Sequence, residues 1–191
     1  NIGMFTIKGS AFSIRNVVFD SPSITTSNSY DAFNTGLIAP AISYPITIEN
    51  VGIVNAKFKP TNYQQNGYMH LGGFFGRIKS NPTIKNCFVT GTFTVNAPNT
   101  TYVGGIYAAN EGGNPEISNC YTKITSNGDV VYGIGPEGGS VSSCYYENSV
   151  ATSGAGTGVT LAQMQDPATF VGWNIYSEPP WVMSLPSSPL L

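Results

Sequence analysis

The chain has 191 residues, only 9% of them charged, with a net charge of −2 and eight dispersed Lys and Arg, so it lacks the basic stripe that nucleic acid or an anionic membrane would need. Its 18 Asn, 19 Ser and 18 Thr outnumber the charged residues about threefold, and 22 Gly, 13 Pro and 41% apolar residues exclude disorder and point to a turn-rich β fold with a core. No stretch approaches the roughly 20 apolar residues that span a bilayer, and sparse charge with abundant Asn, Ser, Thr and Gly is the habit of extracellular and cell-surface proteins.

In chain order, one phrase recurs five times: a Gly with two mostly apolar residues after it, then Ile/Val-x-Asn/Ser-Cys/Val. The copies are Gly3-Met4-Phe5 with Ile14-Arg15-Asn16-Val17, Gly36-Leu37-Ile38 with Ile48-Glu49-Asn50-Val51, and Gly73-Phe74-Phe75 with Ile84-Lys85-Asn86-Cys87. Gly105-Ile106-Tyr107 with Ile117-Ser118-Asn119-Cys120 follows, then Gly133-Ile134-Gly135 with Val141-Ser142-Ser143-Cys144. The chain opens inside the first copy with no initiator Met, as a mature or excised piece of something longer would.

Each copy predicts short strands. Thr83-Ile84-Lys85-Asn86-Cys87-Phe88-Val89 alternates apolar and polar residues, and loops such as Asn96-Ala97-Pro98-Asn99 separate such segments. No window of ten residues keeps helical spacing, so the period near 34 predicts one turn of a parallel β-solenoid per copy. Five rungs at about 4.8 Å would rise roughly 24 Å. Residues 1–149 form this array. Residues 150–191 carry no repeat and are expected to cap it. Thr160-Leu161-Ala162-Gln163 has capping-box spacing for a short helix that Pro167 stops, Leu161 and Met164 are placed to bury together, and Phe170, Trp173 and Trp181 supply apolar cover.

Gly72-Gly73-Phe74-Phe75-Gly76 with Ile84-Lys85-Asn86-Cys87-Phe88-Val89-Thr90-Gly91-Thr92-Phe93 resembles the GLUG-motif repeat of bacterial surface proteins, as does Val103-Gly104-Gly105-Ile106 with Ile117-Ser118-Asn119-Cys120-Tyr121. The tail, in Leu161-Ala162-Gln163-Met164, Phe170-Val171-Gly172-Trp173, Trp181 and Pro189-Leu190, is similar to segments that close such arrays. Copies one and two have Val for Cys, and copy five is shortened with Ser143 for Asn. The resemblance implies an all-β, right-handed parallel β-helix in an adhesin-like or cell-envelope protein, and no catalytic residues.

Within the phrase, the Ile and the Cys both reach the interior only if the chain bends at the Asn between them. Asn tolerates the left-handed region, so Asn16, Asn50, Asn86 and Asn119 are expected as stacked corners joined amide to amide. Cys87, Cys120 and Cys144 then lie inside, below Val17 and Val51, as small buried hydrophobes. A neighbouring pair is within conceivable disulfide reach, but three thiols leave one over, and with His70 as the only His no metal site and no cofactor is expected. The residue before the Asn reads Arg15, Glu49, Lys85, Ser118, Ser142, a charge register rather than a site.

The residue after the Cys is the functional candidate. Phe88, Tyr121 and Tyr145 should point outward on successive rungs, either as a platform for sugar rings or a protein, or covering one another or lying beneath a loop such as Pro136-Glu137-Gly138-Gly139. Catalysis finds little support. The ten acidic residues are scattered, Glu111 and Glu116 flank a turn that with Asn114 offers too few oxygens for a calcium cage, His70 lacks a nucleophile partner, and the run Thr90, Thr92, Thr94 occupies one rung. The expectation is a non-enzymatic extracellular module displaying a rigid face to a glycan or surface protein, with self-association into a larger assembly as a further role. The alternative is a carbohydrate-active β-helix enzyme, a lyase or glycosidase, or its binding module.

Overall fold

The computed structural model describes residues 2–5, 11–25, 34–61, 67–151 and 153–173, and the backbone of 182–183 and 189–190. Asp31, Glu178 and Trp181 lie outside these residues. Strands assemble turn by turn. The first turn carries β1 (Phe12–Asp20) and β2 (Ser23–Thr25), and the second β3 (Asn34–Gly36), β4 (Ala39–Ile42) and β5 (Ile46–Lys59). The third carries β6 (Met69–Gly72), β7 (Phe75–Ile78), β8 (Thr83–Lys85) and β9 (Phe88–Phe93). The fourth repeats this as β10 (Thr101–Gly104), β11 (Tyr107–Asn110), β12 (Glu116–Ser118) and β13 (Tyr121–Ser126). The fifth keeps β14 (Val130–Tyr132), β15 (Ser140–Ser142) and β16 (Tyr145–Glu147), and β17 (Thr157–Val159) adds a last layer. Beyond it lie α1 (Leu161–Met164), a 3-10 turn (Pro167–Thr169) and the antiparallel pair β18 (Val182–Met183) and β19 (Pro189–Leu190).

The turns stack into three parallel sheets, which makes the chain a β-solenoid. An entry face runs β3, β6, β10, β14, a middle face β4, β7, β11, and a long face collects β1, β2, β5, β8, β9, β12, β13, β15, β16 and β17. Three turns carry all three faces. Those of the first and fifth copies have no middle-face strand among the described residues, so the expected five rungs resolve into three complete turns between two partial ones. The Ile/Val of the phrase keeps one place, with Ile14, Ile48, Ile84, Ile117 and Val141 pairing in series, but the expected glycine alignment shifts by one residue, since Gly36 is in register with Gly72 and Gly104 rather than with Gly73 and Gly105.

Two local devices set the cross-section. The entry and middle faces meet at the Gly-Gly step, where a Cβ on Gly73 or Gly105 would stand 2.2 or 2.1 Å from the carbonyl oxygen of the next turn's Gly, so no side chain fits. The long face bends at the Asn corner. Asn16, Asn50, Asn86, Asn119 and Ser143 all take φ between 49° and 56°, which turns Ile48 and Val51, three residues apart, into the same interior. Inside lies one apolar column from Leu37 to Cys144, including Phe58 stacked on Phe93 at 4.8 Å. In β1 the inward side chains Phe12, Ile14, Val17 and Phe19 are only partly covered.

The tail does more than close an end. Ser153 bridges to Tyr132 on the entry face and β17 pairs with β16 on the long face, so residues 153–159 cover both sheet edges. The chain then folds outside the tube. Thr160 and Gln163 form a capping box, Met164 ends α1, and Pro167 opens the 3-10 turn. Met164 is buried but Leu161 is 43% exposed, so the expected joint burial is corrected: a one-turn helix presents one residue to the long face, and Leu161 points away.

Candidate functional site

The Asn corners form a polarised ladder. Asn50 Nδ2 donates to Asn16 Oδ1 at 2.8 Å, Asn86 to Asn50 at 3.1 Å and Asn119 to Asn86 at 3.3 Å, so each amide meets the group that the corner would otherwise strand. Cys87, Cys120 and Cys144 are free and buried, each Sγ 3.1–3.2 Å from the carbonyl two residues back. Burial pushes the Cys120 thiol well up, helped by hydrogen bonding to Cys144 and Cys87, which keeps it protonated. In the charge register Arg15 Nε lies 3.4 Å from Glu49 Oε2.

Phe88, Tyr121 and Tyr145 do stand outside the tube in series, paired in register, with the Phe88 and Tyr121 rings 5.3 Å apart and 6° from parallel. They are not an open platform. Their exposures are 2%, 1% and 8%, because Val159, Met164, Phe170 and Trp173 of the tail lie over them. The tail therefore replaces the loop 136–139 as the cover. Two polar contacts fix it: Trp173 Nε1 donates to the Ser143 carbonyl at 2.9 Å, and the Val171 N–H donates to the Tyr145 hydroxyl at 3.1 Å. Ser143 stands where copy five departs from Asn, at the end of the ladder and against Gly172. Burial raises the Tyr121 phenol, which stays neutral.

A second aromatic row lies on the entry face. His70 follows Asn34 in register, and Tyr102 follows His70. The His70 and Tyr102 rings are 5.6 Å apart at 27°, Tyr102 and Tyr132 6.5 Å apart at 11°, and Tyr68 meets Tyr102 edge-on at 5.5 Å. Tyr68 is 57% exposed and the other three are partly exposed. His70 Nδ1 sits 3.1 Å from Asn34 Oδ1, and burial, with Arg77 nearby, lowers its pKa. Sequence reasoning read His70 alone as an ordinary histidine and missed the row. The available signal was the residue two before Gly36, Gly72 and Gly104, which reads Asn34, His70, Tyr102, and it shows only when the third and fourth copies are aligned on the first Gly of their Gly-Gly pair.

The carboxylates are dispersed and mostly engaged. Glu111 meets Lys79 Nζ at 2.9 Å and Arg77 Nη1 at 2.6 Å, and the Lys79 hydrogen bond, with that from Arg77, holds its carboxyl below the usual range. Glu116 stands apart on the long face, in register with Thr83 and Ser140, in a shallow polar hollow with Lys85. Asp129 accepts from the Thr101 N–H and hydroxyl, both at 2.8 Å, which lowers its pKa. The loop at Asn114 is tied by amides: Asn110 bonds both the N–H and the carbonyl of Gly113, and Asn81 accepts from Asn114 N. Among the described residues no three His, Cys, Asp or Glu gather as a metal set, and no helix is long and apolar enough to cross a membrane. Comparison of the chain with protein-family models, with curated proteins and with solved structures returns no match.

Proposed function

We propose that this chain is a non-enzymatic contact module of an extracellular or cell-surface protein of the GLUG-repeat kind it resembles, presenting a rigid β-solenoid face to a glycan or a surface protein. The observation that carries this reading is the open ring row of Tyr68, His70, Tyr102 and Tyr132 on a face whose backbone is fixed on both sides by neighbouring strands. Aromatic rings left partly wet on a rigid sheet offer contact area at little further ordering cost. Low charge favours stacking and hydrogen bonding over ion pairing as the mode of contact. The single carboxylate of the polar hollow, Glu116, supports a non-catalytic reading, since glycoside hydrolysis ordinarily uses two. The partly covered inward side chains of β1 support assembly with a further solenoid turn.

The test is the intact 191-residue chain on a glycan array and a panel of host and envelope proteins, beside depolymerisation assays on the same polysaccharides. Saturable binding without chain cleavage is the expected result. Turnover that a Glu116→Gln variant abolishes would transfer the chain to the enzyme class.

A further inference from the structure

We propose that the open row on the entry face is a binding track for a neutral, extended, β1,4-linked glycan lying along the solenoid axis, with one sugar per turn over His70, Tyr102 and Tyr132. This rests on the contact-module reading and specifies both the face and the ligand class.

The pitch is the first argument. Parallel strands repeat at about 4.8 Å, close to the step of one pyranose in an extended chain, so a ligand aligned with the axis meets an equivalent group at each turn. The ring spacings of 5.6 and 6.5 Å exceed the strand pitch. Both separations lie in the ordinary range for aromatic pairs, yet His70, Tyr102 and Tyr132 all stay partly exposed, which leaves ring surface for the C–H groups of a sugar.

The width is the second. The register two residues on, Gly36, Gly72 and Gly104, is buried, and a Cβ on Gly72 or Gly104 would stand 1.9 or 1.8 Å from a middle-face carbonyl oxygen, so the track is one ring wide until Tyr132 leans across from the glycine register. A protein partner ordinarily covers about 800 Å² on each side, whereas a narrow linear strip fits a chain-like ligand.

Polarity is the third. With Nδ1 directed at Asn34 Oδ1, the neutral imidazole donates there and keeps Nε2 as an acceptor. Together with the hydroxyls of Tyr68, Tyr102 and Tyr132, it supplies hydrogen-bonding edges for sugar hydroxyls. The charges bordering the row balance: Arg77 and Lys79 against Glu111 and Asp129. Nothing in that set selects a uronate over a neutral sugar.

The experiment titrates the intact chain with cello-, manno- and xylo-oligosaccharides of two to six residues, with oligogalacturonates of equal length, and with the protein panel. Affinity for at least one neutral series should climb with length up to about three residues, one per turn of the row, and then level off, with little dependence on salt. Tyr102→Ala with Tyr132→Ala should weaken that binding roughly tenfold, Tyr102→Phe less, and Lys85→Ala on the long face not at all, with thermal melting confirming that each variant folds. Preference for the galacturonates, or unchanged affinity in the folded double variant, overturns the track. Binding to a protein alone overturns it while the contact-module reading survives, and binding to nothing overturns both.

Discussion

The two aromatic rows are built by the same device and end in opposite states. On the long face Phe88, Tyr121 and Tyr145 stack in register and disappear beneath Met164, Phe170 and Trp173. On the entry face His70 and Tyr102 stack in register, Tyr132 leans in, and the row stays partly wet. A ring's direction relative to the tube therefore does not decide whether it displays or packs. The 15 residues from Val159 to Trp173 decide it, by laying apolar side chains on one face. Each buried aromatic ring removes on the order of 150–250 Å² from water, an upper-limit gain of about 4–6 kcal/mol. The covered row thus works as a satellite core that fastens the tail.

The sharpest way to break this comparison is Tyr121→Ala. Its ring sits between Phe88 and the tail, and Trp173 lies 6.3 Å away, so truncation should cost about 3–5 kcal/mol by denaturant unfolding and loosen the tail. A loss below about 1 kcal/mol would mean that the tail does not depend on the row. Next in size is Asn86→Ala, which tests the scaffold beneath both rows. It removes two ladder bonds at about 0.5–1.5 kcal/mol each and puts a Cβ residue without a polar arm at φ 54°, at about 1 kcal/mol more. Asn86→Gly should recover the backbone part alone, and equal losses for the two variants would put the whole effect in the amide.

The scaffold is legible in the sequence because stacking forces like residues into like places. Asn16, Asn50, Asn86 and Asn119 announce a corner by recurrence, and Val17, Val51, Cys87, Cys120 and Cys144 announce an interior slot by exchanging small apolar groups. The outward direction of Phe88, Tyr121 and Tyr145 follows from that register. Their burial does not, since it depends on where a tail with no repeat folds back, and Trp173 meeting the Ser143 carbonyl is a contact 30 residues away in sequence. The entry row is hidden for another reason. Asn34, His70 and Tyr102 share a register but no residue type, and Tyr132 joins from the neighbouring glycine register, so only coordinates add its ring to the row.

Gly52→Ala sharpens the comparison from beneath. A Cβ there would stand 2.4 Å from Phe88 Cε1, pushing the lowest ring of the covered row toward its lid, at about 1–3 kcal/mol. Smaller again is the acid response at Glu111, near the open face. Hydrogen bonds from Lys79 and Arg77 keep its folded-state pKa below the unfolded value, so the stabilisation is complete above the ordinary glutamate range near about 4.3 and is lost as pH falls through the folded value. In Glu111→Gln the stability at neutral pH should drop by less than about 1 kcal/mol and the dependence between pH 5 and 3 should flatten. Unchanged acid dependence would assign it to other carboxylates.

The smallest expected effect is also the most diagnostic. Tyr102→Ala removes the same side chain as Tyr121→Ala, each one residue before a buried β-branched residue, Val103 or Thr122, on a strand paired on both sides, so backbone propensity and ladder hydrogen bonds are nearly matched between the two variants. What differs is the cover. Tyr121 loses contacts to a stacked ring and a buried tail, whereas Tyr102 loses partly hydrated contacts to His70, Tyr68 and Tyr132. Its unfolding free energy should move by about 1 kcal/mol or less, in the range of partly exposed aromatic pairs. Near-equal losses at the two sites would mean that the entry row is structural, held by its own stacking, and the case for leaving it open to a ligand would fall with that result.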